Sequence, residues 1–152
     1  MILKSIQFMK RLNALFLILI SVALFSCREE QYIDEMIYNI KNNTDSTLHV
    51  STQSYIYRET TIYPGHTAFV YSDYCIGDPY FWFDQGLAGC KSVTVRLNDV
   101  NGDTLAHWVR DESNELGVKW FYDYKYWEVK RIDKLSTSTE FTLPLNNEDF
   151  GW

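Results

Sequence analysis

The sequence predicts an all-β domain, an antiparallel sandwich of about seven strands. Short apolar runs rich in β-branched and aromatic residues recur through residues 35–152, with turn residues every 8–12 positions. No stretch there sustains helical periodicity over three turns. One pair of runs is joined through Asn101-Gly102, a dipeptide that adopts the positive φ angles of a type I′ hairpin turn without strain.

The elements follow in order. Met36-Ile37-Tyr38-Asn39-Ile40 reads as the first strand, closed by the polar turn 41–46, and Leu48-His49-Val50-Ser51-Thr52 alternates with period two. Thr60-Thr61-Ile62-Tyr63 ends at Pro64-Gly65, a turn dipeptide, and 67–71 resumes as a strand. Residues 72–90 read as a long excursion holding the apolar piece Tyr80-Phe81-Trp82-Phe83. In the Asn-Gly hairpin, Val93, Val95 and Leu97 share one face, and Leu105, His107 and Val109 share another. A polar loop covers 111–117, and Phe141, Leu143 and Leu145 mark the last strand.

The N-terminus carries a different signal. Lys10 and Arg11 precede about fifteen uncharged residues, LNALFLILISVALFS, and then Cys27. A basic segment followed by a short apolar one is a secretory signal, short for a transmembrane span of roughly 20 residues. Met9 is an alternative start. The end of this segment, Leu24-Phe25-Ser26-Cys27, resembles the lipobox of bacterial lipoproteins, and the resemblance implies cleavage before Cys27 and acylation (palmitate or a related chain) of that cysteine. The next residues, Arg28-Glu29-Glu30, resemble the acidic surface-export tether of Bacteroidota lipoproteins, which favours the outer leaflet of the outer membrane, facing the cell surface, over the periplasmic face. The expected organisation is a signal peptide over 1–26, an acylated tether over 27–34 and a β domain over 35–152.

Removing 1–26 takes away three charged residues, all basic, so 11 Lys and Arg remain against 20 Asp and Glu, a net of −9. Such a surface repels nucleic acid phosphates and anionic lipid, so neither is expected as a partner. Cys75 and Cys90 then form an even pair in an exported chain, which predicts a disulfide. It would close a loop of 16 residues, worth roughly 3 kcal/mol in the chain-entropy model.

The fold layout also resembles small surface lipoproteins of Bacteroidota. The matching pieces are NIKNNTDSTLHV, YPGHT, LNDVNGDTL, YWE and EFTLPL, which together span most of the chain after Cys27. The resemblance supports location and an immunoglobulin-like sandwich, without naming an activity.

No catalytic constellation stands out, so no catalytic residue, cofactor or metal is assigned. His49, His66 and His107 lack the i, i+4 spacing of a metal-binding helix. Asp99, Asn101 and Asp103 imitate the start of a calcium loop, but Thr104 replaces its glycine and Arg110 its final Glu. Asp45-Ser46-Thr47 and Asp103-Thr104-Leu105 resemble the Asp-Ser/Thr-apolar signature of O-glycosylation in Bacteroidota, which would modify Ser46 and Thr104.

The aromatic residues remain. Positions 120–127 read WFYDYKYW. As one strand they would set Trp120, Tyr122, Tyr124 and Tyr126 on a single face. Alternatively Asp123 ends a short strand, Asp-Tyr-Lys-Tyr turns and Trp127 plugs the core, the arrangement we favour for a domain this small. The expected function is a non-catalytic binding or assembly module for a glycan or protein partner at the envelope. Its candidate ligand-binding residues are Trp120, Tyr122, Tyr124 and Trp127, with Tyr80 and Trp82. The alternative is a loop-presenting inhibitor or immunity lipoprotein, with an enzyme third.

Overall fold

The computed structural model describes residues 33–77, 83–110, 119–132 and 138–152. Cys27, Tyr80 and Trp82 lie outside these residues. The described part is built from eight strands: β1 (Ile33–Asn42), β2 (Leu48–Gln53), β3 (Arg58–Ile62), β4 (Thr67–Ile76), β5 (Ser92–Leu97), β6 (Thr104–Val109), β7 (Glu128–Arg131) and β8 (Ser138–Leu145). One four-stranded sheet has the order β4-β1-β8-β7 and the other β3-β2-β5-β6. Both sheets bury residues in one common core, from Met36, Tyr38 and Phe141 on one side to Val50, Val95 and Trp108 on the other. The architecture is therefore all-β and sandwich-like.

Period-two alternation explains the strands. In β8 every second residue from Thr139 to Leu145 is buried, and in β1 Met36, Tyr38 and Ile40 are fully enclosed. β1 runs between β4 and β8, so both of its edges are paired. The β1–β8 pairing is parallel, with Tyr38 beside Phe141 and their rings stacked at 5.1 Å, which corrects the expectation of a purely antiparallel sandwich. Two strands that start at the same end of a sheet and lie side by side have no other option.

Several other expectations change. The 92–109 hairpin forms, but not through an Asn-Gly I′ turn. Residues 98–103 make a longer connection in which Asn98 takes the left-handed conformation (φ 64°) and Gly102 N–H bonds to the Asp99 carbonyl at 3.1 Å. Gly102 is needed for close approach, because a Cβ there would lie 1.6 Å from the Leu97 carbonyl oxygen. The face of β6 is also inverted. Val93 pairs with Trp108 and Val95 with Ala106, and cross-strand partners share a face, so Ala106 and Trp108 go inward while His107 is exposed and held by Thr94 at 2.8 Å.

No disulfide joins Cys75 and Cys90, and both are buried. Cys75 lies on β4 with its Sγ 4.0 Å from the Gly77 carbonyl, whereas Cys90 follows a 3-10 turn (Leu87–Gly89). Tyr38 stands near Cys75 and Tyr71 near Cys90, with the two rings 5.9 Å apart. The segment is instead secured by packing. A short helix, α1 (Phe83–Gly86), accepts a hydrogen bond from the Tyr38 hydroxyl at the Phe83 carbonyl (3.2 Å), and Tyr122 donates to the Cys90 carbonyl at 2.9 Å.

One buried side chain ties the opposite end together. Asn42 donates to the Ser46 and Ile62 carbonyls (both 2.8 Å) and accepts from the Thr44 N–H and hydroxyl. All its polar capacity is used, so its complete burial carries no unmet hydrogen bond.

Candidate functional site

The residues of 120–127 do not form a continuous strand or a flat ring platform. Asp123 caps a 3-10 turn (Tyr124–Tyr126) by accepting from the Lys125 N–H at 3.1 Å, and the Lys125 ammonium at 2.7 Å holds the Asp123 carboxyl below its usual range. Phe121, Tyr122 and Trp127 are buried, Trp120 and Tyr126 are half-buried, and Tyr124 is 38% exposed. The Trp127 indole donates to the Phe121 carbonyl at 2.8 Å and packs edge-on against Tyr38 and Phe121. Phe121, Tyr122 and Trp127 belong to the core, Trp120 and Tyr126 pack against it, and Tyr124 reaches the surface.

More exposed rings are elsewhere. Between β2 and β3, residues 54–57 form a loop that carries three large apolar side chains outward: Tyr55 is 91% exposed, Ile56 71% and Tyr57 62%. The loop is pinned locally. Ser54 Oγ donates to the Ile56 carbonyl at 2.7 Å and accepts from its N–H at 3.2 Å. The Tyr57 hydroxyl donates to the Glu59 carboxylate, a bond that raises the Tyr57 pKa.

This loop forms one wall of a groove of about 240 Å³ whose other wall is β4. β4 carries a bulge: Tyr38 pairs with Tyr71 but Asn39 with Phe69, which leaves Val70 unpaired and bends the strand. Phe69 thereby lies under the Arg58 guanidinium, 4.5 Å from the ring centre. Further along, the Tyr71 hydroxyl donates to Asp73 Oδ2 at 3.2 Å, and burial together with the Asp73 charge holds its pKa well above the ordinary tyrosine value. Gly89 lets this arrangement close, since a Cβ there would lie 2.4 Å from the Tyr71 oxygen and 3.1 Å from the Tyr55 ring.

The groove has a second property. β3 and β4 are terminal strands of their respective sheets, and both flank it. Among the described residues each pairs with a neighbouring strand along one edge only. The groove thus combines an exposed aromatic side chain, one cation and one carboxylate beside terminal strands of both sheets.

The remaining sequence candidates lie apart. His49 is on β2, 3.7 Å from Glu59, His66 bonds the Pro64 carbonyl in the β3–β4 turn, and His107 is on β6. Asp99 Oδ1 accepts from the Asn101 N–H at 2.7 Å, which uses that carboxylate in the turn. Among the described residues no three His, Cys, Asp or Glu side chains converge as a metal site. Ser46 is half-buried and Thr104 is exposed at the start of β6.

Sequence reasoning missed Tyr55, Arg58, Phe69 and Asp73. The available signal was Tyr-Ile-Tyr between two strand segments. Three consecutive large apolar residues in a loop cannot all reach a core. Comparison with family models, curated proteins and solved structures yields no match, so geometry and chemistry alone carry the functional reading.

Proposed function

We propose that this protein is a non-catalytic binding module, anchored to the outer membrane through acyl chains on Cys27 and facing the cell surface, that holds an extended segment of a protein partner in the groove between the 54–57 loop and β4. The observation that carries this reading is the position of the groove beside the terminal strands β3 and β4 of the two sheets, with aromatic side chains in its lining. An added strand takes main-chain hydrogen bonds from an edge, and flanking pockets select alternate side chains. Tyr55 and Phe69 offer apolar contact, while Arg58 and Asp73 offer one charge of each sign. Two sheets around one core support an immunoglobulin-like assignment of the sandwich within this reading.

A glycan is the second reading, favoured by the exposure of the Tyr55 ring, against which a sugar face can stack. Modification of Ser46 and Thr104 by O-glycosylation belongs with the same surface location. A photo-crosslinking residue at position 72, on the β4 side of the groove, tests the main reading in the native host. It should capture one discrete protein, and capture should fall sharply in Asp73→Arg. Diffuse or unchanged labelling would reject the groove, and specific retention on a glycan array would move the assignment to sugar.

A further inference from the structure

The two charges of the groove are not equally available to a ligand. Asp73 is already engaged: its Oδ2 accepts from the Tyr71 hydroxyl at 3.2 Å and its Oδ1 from the Tyr74 N–H at 2.8 Å. A change there disturbs Tyr71 before it disturbs a ligand. Arg58 stands differently. Its guanidinium lies over the Phe69 ring at 4.5 Å, and among the described residues no hydrogen bond or ion pair engages its side-chain N–H groups. Lys119, Lys125 and Arg131, by contrast, each have a carboxylate oxygen in reach, at 3.0, 2.7 and 3.8 Å.

The carboxylate next to Arg58 in sequence is Glu59, and the strand turns it away. Successive residues of a strand face opposite sides of the sheet. Arg58 pairs with Thr52, whose hydroxyl reaches across to the Val70 carbonyl of β4, whereas Glu59 pairs with Ser51 on the other face. On that face the Glu59 carboxylate accepts from the Tyr57 hydroxyl and lies 3.7 Å from His49 Nε2. Arg58, Phe69 and Asp73 line the groove, and Glu59 does not.

Stacking orients the guanidinium before any partner arrives. One face rests on Phe69, so the N–H edge is left for a planar acceptor. Phe69 reaches this position through the bulge at Val70, which therefore places the cation as well as bending the wall of the groove.

We infer that Arg58 reads a carboxylate in the bound segment: the partner carries an acidic side chain, Asp or Glu, where its extended chain passes β3. This deepens the binding reading above and rests on it. A guanidinium takes a carboxylate through two parallel N–H···O bonds, a geometry that a point charge such as an ammonium does not match. The chain has 20 acidic residues against 14 basic ones, so its overall field opposes an acidic segment and recognition has to be local.

The test selects short random peptides displayed on phage against the full chain, with the photo-crosslinking residue at position 72 reporting that they occupy the groove. Selected peptides should share Asp or Glu at one fixed position. Replacing that acid by its amide should weaken binding at least about tenfold, the scale of a charge-assisted hydrogen bond. Arg58→Glu should reverse the preference, so that the same library yields Lys or Arg at that position, while the melting temperature barely moves because the side chain is exposed. Arg58→Lys keeps the charge without the fork and should retain only part of the affinity. Crosslinked peptides with no preference for an acid, or an acid preference that persists in Arg58→Glu, overturn the inference and leave the groove standing. If no selected peptide crosslinks at 72, the groove and the inference fall together.

Discussion

Residues 120–127 and residues 54–57 are both rich in large rings, and their surroundings separate them. The first group has a neighbour for every ring: Trp127 meets Tyr38, Phe83 and Phe121, and Trp108 stacks with Phe121 at 5.7 Å. Its polar atoms are satisfied by backbone carbonyls at Phe121 and Cys90. The second group has a fixed backbone and few side-chain contacts, with only the Tyr57 hydroxyl tied down, at Glu59. Aromatic density therefore says nothing about role until burial is known. Rings with partners specify the fold, and rings without them are free to act on something else.

Substitutions should break this comparison most clearly on its buried side. Trp127→Ala removes ring contacts and an indole hydrogen bond from the centre of the core, and should cost about 3–5 kcal/mol in urea unfolding. A loss below about 1 kcal/mol would mean that the indole is not packed as described.

Alkaline pH gives the next effect. Burial pushes the Cys90 thiol up to about 11, against the opposing influence of the Tyr122 hydroxyl and the Arg110 charge. Burial also holds Tyr38 above the ordinary tyrosine range. Each group stays protonated in the folded protein at a pH where the unfolded chain has begun to lose its proton. The unfolded state then binds fewer protons, so stability is complete below about pH 9 and falls as pH rises towards 11. A melting temperature that stays flat across that interval would remove the argument.

The smallest effect belongs to the exposed side. Tyr55→Ser should change stability by no more than about 0.5 kcal/mol while weakening ligand capture by the groove. A destabilisation as large as that of Trp127→Ala would place Tyr55 in the core and dissolve the distinction between the two groups.

How much could be read beforehand follows the same physics. β8 was legible because Phe141, Leu143 and Leu145 alternate without interruption, and the turn at Asp123 because an acid between rings favours a cap. β7 was not, since Glu-Val-Lys-Arg has one apolar residue and forms against β8 only once the chain is folded. The face of β6 was misread because Leu105 and Val109 mimic an apolar face, whereas the register with Val93 and Val95 selects Ala106 and Trp108. The groove was hidden for a related reason. Arg58, Phe69 and Asp73 come together through the crossing from one sheet to the other and the bulge at Val70, and neither leaves a local pattern.

The parallel contact of β1 with β8 also sets an order of events. Tyr38 and Phe141 pair across most of the domain's length, and the inner sheet edge of β1 stays open until the last strand arrives. A chain synthesised from its N-terminus therefore cannot complete this sheet until Leu145 has emerged, and contacts so distant in sequence close slowly.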